Sequence, residues 1–255
     1  MHFSKLDTRM RVYEEALDVC VLPNLWMVAR LDGKGFSKLT QREEFNKPFD
    51  DRFKSLMSSV TEYLMTETGF KFIYAYTESD EISLLFSIDE NTFNRKLRKL
   101  NSTLAGLASA KFTMESGIIG SFDCRISQLP SIDLVEDYFS WRQEDAHRNA
   151  LNGYCYWTLR QHNISARQAT SMLNGKGTYF KNELLFNYGI NYNDTALWHR
   201  RGIGMYTKPT LINAVNKKTG DAVTVTRNKL YIDEQLSYQE DYRNFIGDLC
   251  RSNQN

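Results

Sequence analysis

Two short segments hold the side chains best suited to chemistry, Asp32-Gly33-Lys34-Gly35 and Glu78-Ser79-Asp80-Glu81. Magnesium prefers oxygen ligands and is usually held by one or two protein carboxylates together with substrate phosphates. Asp32 and Asp80 supply two such carboxylates, and the Gly33 carbonyl adds a third oxygen because glycine lets the backbone come close. Glu81 is a weaker candidate, expected to point to the opposite sheet face. Two metal ions about 3.5 to 4 Å apart clamp the attacking and leaving oxygens of an in-line phosphoryl transfer. Each segment alone reads more simply as a solvated turn, since Asp-Gly is a common turn dipeptide. The case for chemistry needs the two carboxylates brought together.

The elements around them do this. Residues 25 to 31, LWMVARL, form an apolar β-rich run that ends at Asp32-Gly33. Phe53, Leu56, Met57, Val60 and Leu64 then recur at helical spacing, with Asp50 or Asp51 as cap and Gly69 as stop. Phe70, Phe72, Tyr74 and Tyr76 alternate onto one face of a strand that turns at the acidic tip into ISLLFS. A second helix is expected from about Thr92 to about Phe112, its basic face formed by Arg95, Arg98 and Lys99, and Phe122 to Leu129 reads as a strand. The order β-α-β-β-α-β is the ferredoxin-like, palm-like arrangement, an α+β fold whose antiparallel sheet has helices packed on it. Its first and third strands are central neighbours, so Asp32 and Asp80 should share one rim.

Beyond this core the pattern predicts helices over about 133–160, after Ser165, and over 180–188. A hairpin turning at Lys217-Lys218-Thr219-Gly220-Asp221 and a last helix over 237–250 follow. The division expected is a catalytic core over 1–135 and a helical and β-hairpin extension over 136–255, packed as one unit.

Composition bounds the rest. The 255 residues are 42% hydrophobic and 25% charged, enough for a full core, and 32 basic against 31 acidic residues leave a net charge of +1. Bulk charge therefore does not mark a nucleic-acid binder, and any such surface must be local. No apolar run reaches the length of a bilayer span, so no membrane partner is expected. The four cysteines form no CxxC pair, which argues against zinc and for a reducing, cytoplasmic setting.

Several segments together closely resemble the tRNA(His) guanylyltransferase superfamily, in order and at compatible spacing over about residues 21 to 208. They are Arg30-Leu31-Asp32-Gly33-Lys34-Gly35-Phe36, Phe45-Asn46-Lys47-Pro48-Phe49-Asp50, Ser79-Asp80-Glu81 and Ser121-Phe122-Asp123-Cys124-Arg125. Tyr138-Phe139-Ser140-Trp141-Arg142-Gln143, Lys181-Asn182-Glu183-Leu184-Leu185-Phe186 and Gly189-Ile190-Asn191-Tyr192-Asn193 complete the set. The resemblance implies nucleotide addition to the 5′ end of tRNA, opposite in direction to ordinary polymerases, with two Mg2+ per site and with ATP, GTP or other nucleoside triphosphates as substrates. It implies that Asp32, Gly33 and Asp80 hold metal, with Glu81 in support, and that Lys47 and Ser79 serve activation of the RNA end. It implies nucleotide or triphosphate contacts for Lys34, Gly35, Phe36, Phe45, Asp50, Arg95 and Lys99, and RNA contacts for Arg30, Arg125, His147, Asn149, Lys181 and Asn182. It also implies a homotetramer.

The sequence departs from this pattern after Trp141-Arg142-Gln143. Enzymes that mark tRNA(His) carry His-Ile-Asn-Asn-Leu-Tyr-Asn there, whereas this chain reads His147-Arg148-Asn149-Ala150-Leu151-Asn152-Gly153. Losing amides and an aromatic removes groups that recognise RNA, while the metal site is untouched. The expectation is therefore a template-dependent 3′-5′ polymerase that repairs 5′-truncated tRNAs, with addition of G(−1) to tRNA(His) as the alternative. A palm-type nucleotide cyclase and a non-catalytic RNA-binding module are more remote readings.

Overall fold

The structure is a computed structural model that describes residues 2–215 and 221–254. Its centre is an antiparallel sheet of six strands in the order β4-β1-β3-β2-β5-β6. These are β1 (Trp26–Gly33), β2 (Phe72–Glu78), β3 (Glu81–Phe86), β4 (Phe122–Leu129), β5 (Ile203–Val215) and β6 (Ala222–Asp233). The first four have the expected β-α-β-β-α-β order, with β1 and β3 adjacent at the centre. β1 reads as a continuous apolar run because it lies between two strands and under helices on both faces.

On one face lie α3 (Asp51–Thr66) and α4 (Leu97–Ser116), which bury Met57, Val60, Leu64, Leu104 and Phe112 against Ala29, Leu31, Ile82 and Leu84. Asp50 caps α3, its carboxylate accepting from the backbone N–H groups of Arg52 and Phe53. The short α2 (Phe36–Arg42) sits between β1 and α3. The other face is covered by α5 (Ile132–Gln161) and α9 (Glu240–Ser252). From Arg142 at the sheet rim α5 runs on for nineteen residues, about 28 Å at helical rise. There it packs with α6 (Ala166–Leu173) and α7 (Thr178–Asn187) around a third core of Leu151, Cys155, Leu159 and Leu185. Ser165 forms the expected capping box with Gln168. The five-residue α8 (Leu197–Arg201) leads into β5.

The sequence reading is corrected in several places. The four alternating aromatics do not share a face: Phe70, just before β2, and Phe72 join the α3/α4 core, whereas Tyr74 and Tyr76 join the α5/α9 core. One extra residue between Phe72 and Tyr74 shifts the register against β3, and such a bulge reverses the alternation beyond it. The second helix begins at Leu97, preceded by a 3₁₀ turn over Thr92–Arg95 in which Phe93, Asn94 and Arg95 have positive φ. Arg95 is thus not on a basic helix face. The C-terminal ribbon joins the sheet, where β5 pairs with β2 from Thr77 to Ala75. The expected turn at 217–221 lies outside the described residues except for Asp221. The last helix starts at Glu240 rather than 237. Phe3–Glu15 forms a helix, α1, that the sequence reading did not identify, and none of its residues is buried.

Candidate active site

The end of β1 and the β2–β3 turn are fastened together by backbone. Asp32 faces Glu81 in the ladder, and the Gly33 N–H donates to the Asp80 carbonyl at 3.0 Å. A Cβ on Gly33 would stand 2.6 Å from the Phe36 ring and 2.9 Å from the Asp80 Cβ, so only glycine permits this approach. Glu78 and Glu81 close the turn, leaving Ser79 and Asp80 at its tip. Ser79 has a φ of 52°, in the left-handed region that favours glycine, and its hydroxyl donates to the Asp80 carboxylate at 3.2 Å.

Asp32 and Asp80 are close enough for the charge on Asp32 to act on Asp80. Burial and then that charge raise the Asp80 carboxyl, against a hydrogen bond from its own backbone N–H, the Ser79 hydroxyl and the charge of Lys47. Among the described residues neither aspartate forms an ion pair. Nor does any cluster of three or more His, Cys, Asp or Glu side chains form a ready metal cage there. Two neighbouring carboxylates that form no ion pair suit a hard cation that takes its remaining oxygens from backbone and substrate.

Glu81 is placed differently from expectation. It shares a sheet face with Asp32, because directly paired residues point the same way. Its carboxylate is nonetheless occupied, accepting from the Arg142 Nε at 2.7 Å and a second Arg142 nitrogen at 3.0 Å, with Arg30 at 3.8 Å. Trp141 lies against both guanidiniums. Glu81 thus anchors α5 to the rim. Glu78 was missed in the sequence. Burial, then the facing Glu81, push its carboxyl up to about 8. The signal was the pairing of two glutamates across a two-residue turn, which shows only once the hairpin register is known.

A cleft of about 560 Å³ opens beside Asp80. Ser79 of the β2–β3 turn and Phe45, Lys47 and Asp50 of the segment between α2 and α3 line it, with Tyr156, Trp157 and Arg160 of α5 and Trp198 of α8. Lys47 is half-buried and donates to the Thr40 hydroxyl at 2.6 Å; burial lowers its pKa against the attraction of Asp80 and Asp50. Asp50 is consumed by structure. Burial opposes its charge, yet the Arg52 guanidinium and the N–H groups of Asn46, Arg52 and Phe53 hold its carboxyl at about 2. Phe45 packs edge-on to Phe53 and beneath Arg52. Phe36 is a core ring against Phe112 and Phe122, with only its edge at the cleft. Lys34 is exposed beside Gly35, whose φ of 75° caps α2.

Arg30 and Arg125 stand opposite each other on the Asp32 face; Arg125 pairs with Asp123, and the Arg30 Nε is buried without a partner. The other basic candidates fall elsewhere. Arg95 is 6% exposed and donates to the carbonyls of Leu25, Ile88 and Glu90. Leu25 precedes β1, so Arg95 sits a strand length, about 20 Å, from Asp32 in the same chain. Lys99 lies at that same end against Phe93, while Lys96 and Arg98 pair with Asp18. Neither Arg95 nor Lys99 reaches its own chain's cleft. His147 is half-buried between Tyr192 and Tyr238, and Asn149 donates to Asp145. Lys181 and Asn182 are partly exposed on α7, where the Lys181 carbonyl accepts from Cys155.

A palm-like sheet with two carboxylates at its rim and a cleft of about 560 Å³ beside one of them suits a nucleotidyltransferase. The comparisons agree: the family profile described as tRNAHis guanylyltransferase matches residues 7–130, and that of the Thg1 C terminal domain matches residues 133–244. The chain belongs to the tRNAHis guanylyltransferase family. It is 33% identical over 230 residues to the tRNA(His) guanylyltransferase of Debaryomyces hansenii, covering 84% of this chain and 86% of that one. It is 34% identical over 214 residues to that of Neurospora crassa, covering 79% and 73%. Among solved structures, the tRNA(His) guanylyltransferase of Saccharomyces cerevisiae superposes with a TM-score of 0.70 at 27% identity over 76% of this chain and 90% of that one. A bacterial Thg1-like protein in complex with GTP gives a TM-score of 0.71 at 25% identity, over 96% and 99%.

Proposed function

We propose that this enzyme adds guanylate to the 5′ end of tRNA(His), the activity for which its curated relatives are named. The observation that carries the reading is the pair Asp32 and Asp80, joined at one rim beside a cleft that also holds Lys47 and Ser79. The donor set of two carboxylates and the Gly33 carbonyl fits Mg2+, which when bound supplies positive charge for phosphoryl transfer. Lys47 places a cation beside the phosphates, and the Ser79 hydroxyl orients an oxygen next to Asp80. Arg30 and Arg125 offer guanidinium forks to RNA phosphates on the Asp32 face. ATP and GTP are the proposed nucleotides, in keeping with the GTP complex of the bacterial neighbour.

Template-matched repair of truncated tRNA is the second reading. Of the segment that departs from the tRNA(His) pattern, Ala150 and Leu151 are core residues, while Arg148 and Asn152 face outward. The outward chemistry is thus changed where RNA could be read. The test compares 5′-monophosphorylated full-length tRNA(His) with a tRNA lacking its first nucleotide, using magnesium, ATP and all four nucleoside triphosphates. Faster single-G addition to tRNA(His) supports the first reading; faster filling of the truncated tRNA favours repair. Extension that survives Asp80→Ala would refute the carboxylate site.

Self-assembly is proposed through α1. Phe3, Leu6, Met10 and Tyr13 form one apolar stripe and are all exposed. A free helix of thirteen residues is marginal in water, so this stripe calls for a partner. Lys5 and Arg9 would face Glu14 and Glu15 of an antiparallel second copy. Residence in the cytoplasm is proposed on the four free cysteines.

A further inference from the structure

We infer that Trp157 is a base-stacking residue that holds the purine of a nucleoside triphosphate against the α5 wall of the cleft. The inference rests on the proposed function only in taking nucleotides as the ligand. The cleft is lined both by polar groups, Asp80, Ser79 and Lys47, and by aromatic rings that include Tyr156 and Trp157 of α5 and Trp198 of α8. A nucleoside triphosphate combines the two matching features, charged phosphates and a flat π-surface.

The aromatic residues are not equivalent. Trp198 is engaged on several sides, edge-on to Phe49 at 5.5 Å, perpendicular to His199 at 4.0 Å and beneath the Lys54 ammonium at 5.0 Å. Trp157 is half-buried and has one aromatic neighbour among the described residues, Tyr156, set at 88° to it with centroids 5.2 Å apart. Tyr156 thus fixes the plane of Trp157 without stacking on it, and no cation is stacked on that ring among the described residues. One helical turn on, Arg160 is exposed and anchored through a single guanidinium nitrogen to the Ile164 carbonyl. It lines the same cleft, and a guanidinium attracts an aromatic base.

Selectivity follows from what is already used. The Asp50 carboxylate, which could otherwise pair with a guanine edge, accepts from three backbone N–H groups and the Arg52 guanidinium. Stacking is indifferent to base edges because every base has a π-face. The subsite therefore takes ATP and GTP alike and prefers either to CTP, which offers less area.

The test is calorimetric titration of the full-length protein with ATP, GTP, CTP and inorganic tripolyphosphate, in wild type, Trp157→Leu and Trp157→Phe. Leucine keeps apolar bulk without a π-face, and phenylalanine keeps the face. Trp157→Leu should weaken ATP and GTP together by about 5- to 100-fold, Trp157→Phe should restore most of the loss, and tripolyphosphate should bind all three proteins equally. In turnover the same change should raise KM for the nucleotide with kcat kept. Unchanged ATP affinity in Trp157→Leu, or an equal loss of tripolyphosphate, overturns the subsite. If Trp157→Leu loses 5′-monophosphorylated tRNA but keeps ATP, the face belongs to an RNA base and the inference fails as stated. Binding is read without RNA, so failure of nucleotide addition would sink the proposed function and leave this subsite intact.

Discussion

At the scale of single residues, the site keeps charge where folding alone would remove it. Asp80 is raised by burial and by Asp32, so its ionised form costs the fold stability. Asp80→Asn should therefore abolish nucleotide addition while leaving the melting temperature in metal-free buffer unchanged or higher. A fall of several degrees would show that the carboxylate is structural. His199 gives the pH dependence. It stacks parallel on Phe49 at 4.3 Å and meets the Tyr154 hydroxyl at 2.6 Å, and burial lowers its pKa from 6.5 to about 4. Between those values the unfolded chain takes up a proton that the folded one refuses, so its contribution is full above pH 6.5 and is lost as pH falls toward 4. Urea midpoints measured across this range should decline in the wild type and decline less in His199→Gln.

At the scale of elements, a buried ion pair fastens α5 to the sheet rim beside the apolar core that the two share. Arg142 is 6% exposed and grips Glu81 with two nitrogens, while Asp145 accepts a further bond from it. Arg142→Ala leaves the Glu81 carboxylate buried with only Arg30 nearby, and breaking such a pair costs about 3 to 5 kcal/mol. Adding Glu81→Gln should recover much of that loss, because the stranded charge goes with it. Denaturant unfolding of both single variants and the double variant measures the coupling. Additive losses would mean that the pair does not hold the helix. The β2–β3 turn is the second such join, and Gly33 must stay a glycine for its rim to meet Asp80.

At the scale of the whole molecule, α1 is the feature that a single chain does not explain. It buries nothing, and Phe3 and Tyr13 are 78% and 74% exposed. Removing residues 1–17 should lower the mass measured by light scattering without lowering the melting temperature of the core. An unchanged mass would show that assembly does not use this helix. The far position of Arg95, Lys96, Arg98 and Lys99 bears on the same question. Their end of α4 cannot serve the cleft of its own chain.

The sequence by itself determined the β-α-β-β-α-β order, the meeting of Asp32 with Asp80, the Asp50 cap and the Ser165 capping box. These follow from local pattern and from topology, in which a strand order places residues far apart in sequence on one rim. Only the tertiary structure decided what each polar group touches. The bulge that sends Tyr74 and Tyr76 to the opposite core is one unpaired residue that alternation cannot show. Arg95 became a buried donor to carbonyls, Glu81 the partner of Arg142, and Asp50 a saturated carboxylate, because each met a neighbour distant in sequence or a turn of unforeseen geometry. Trp157 and Glu78 gained interest the same way, from a cleft wall and a hairpin register. Backbone order is written in short-range periodicity, whereas the use of a charge depends on what burial leaves beside it.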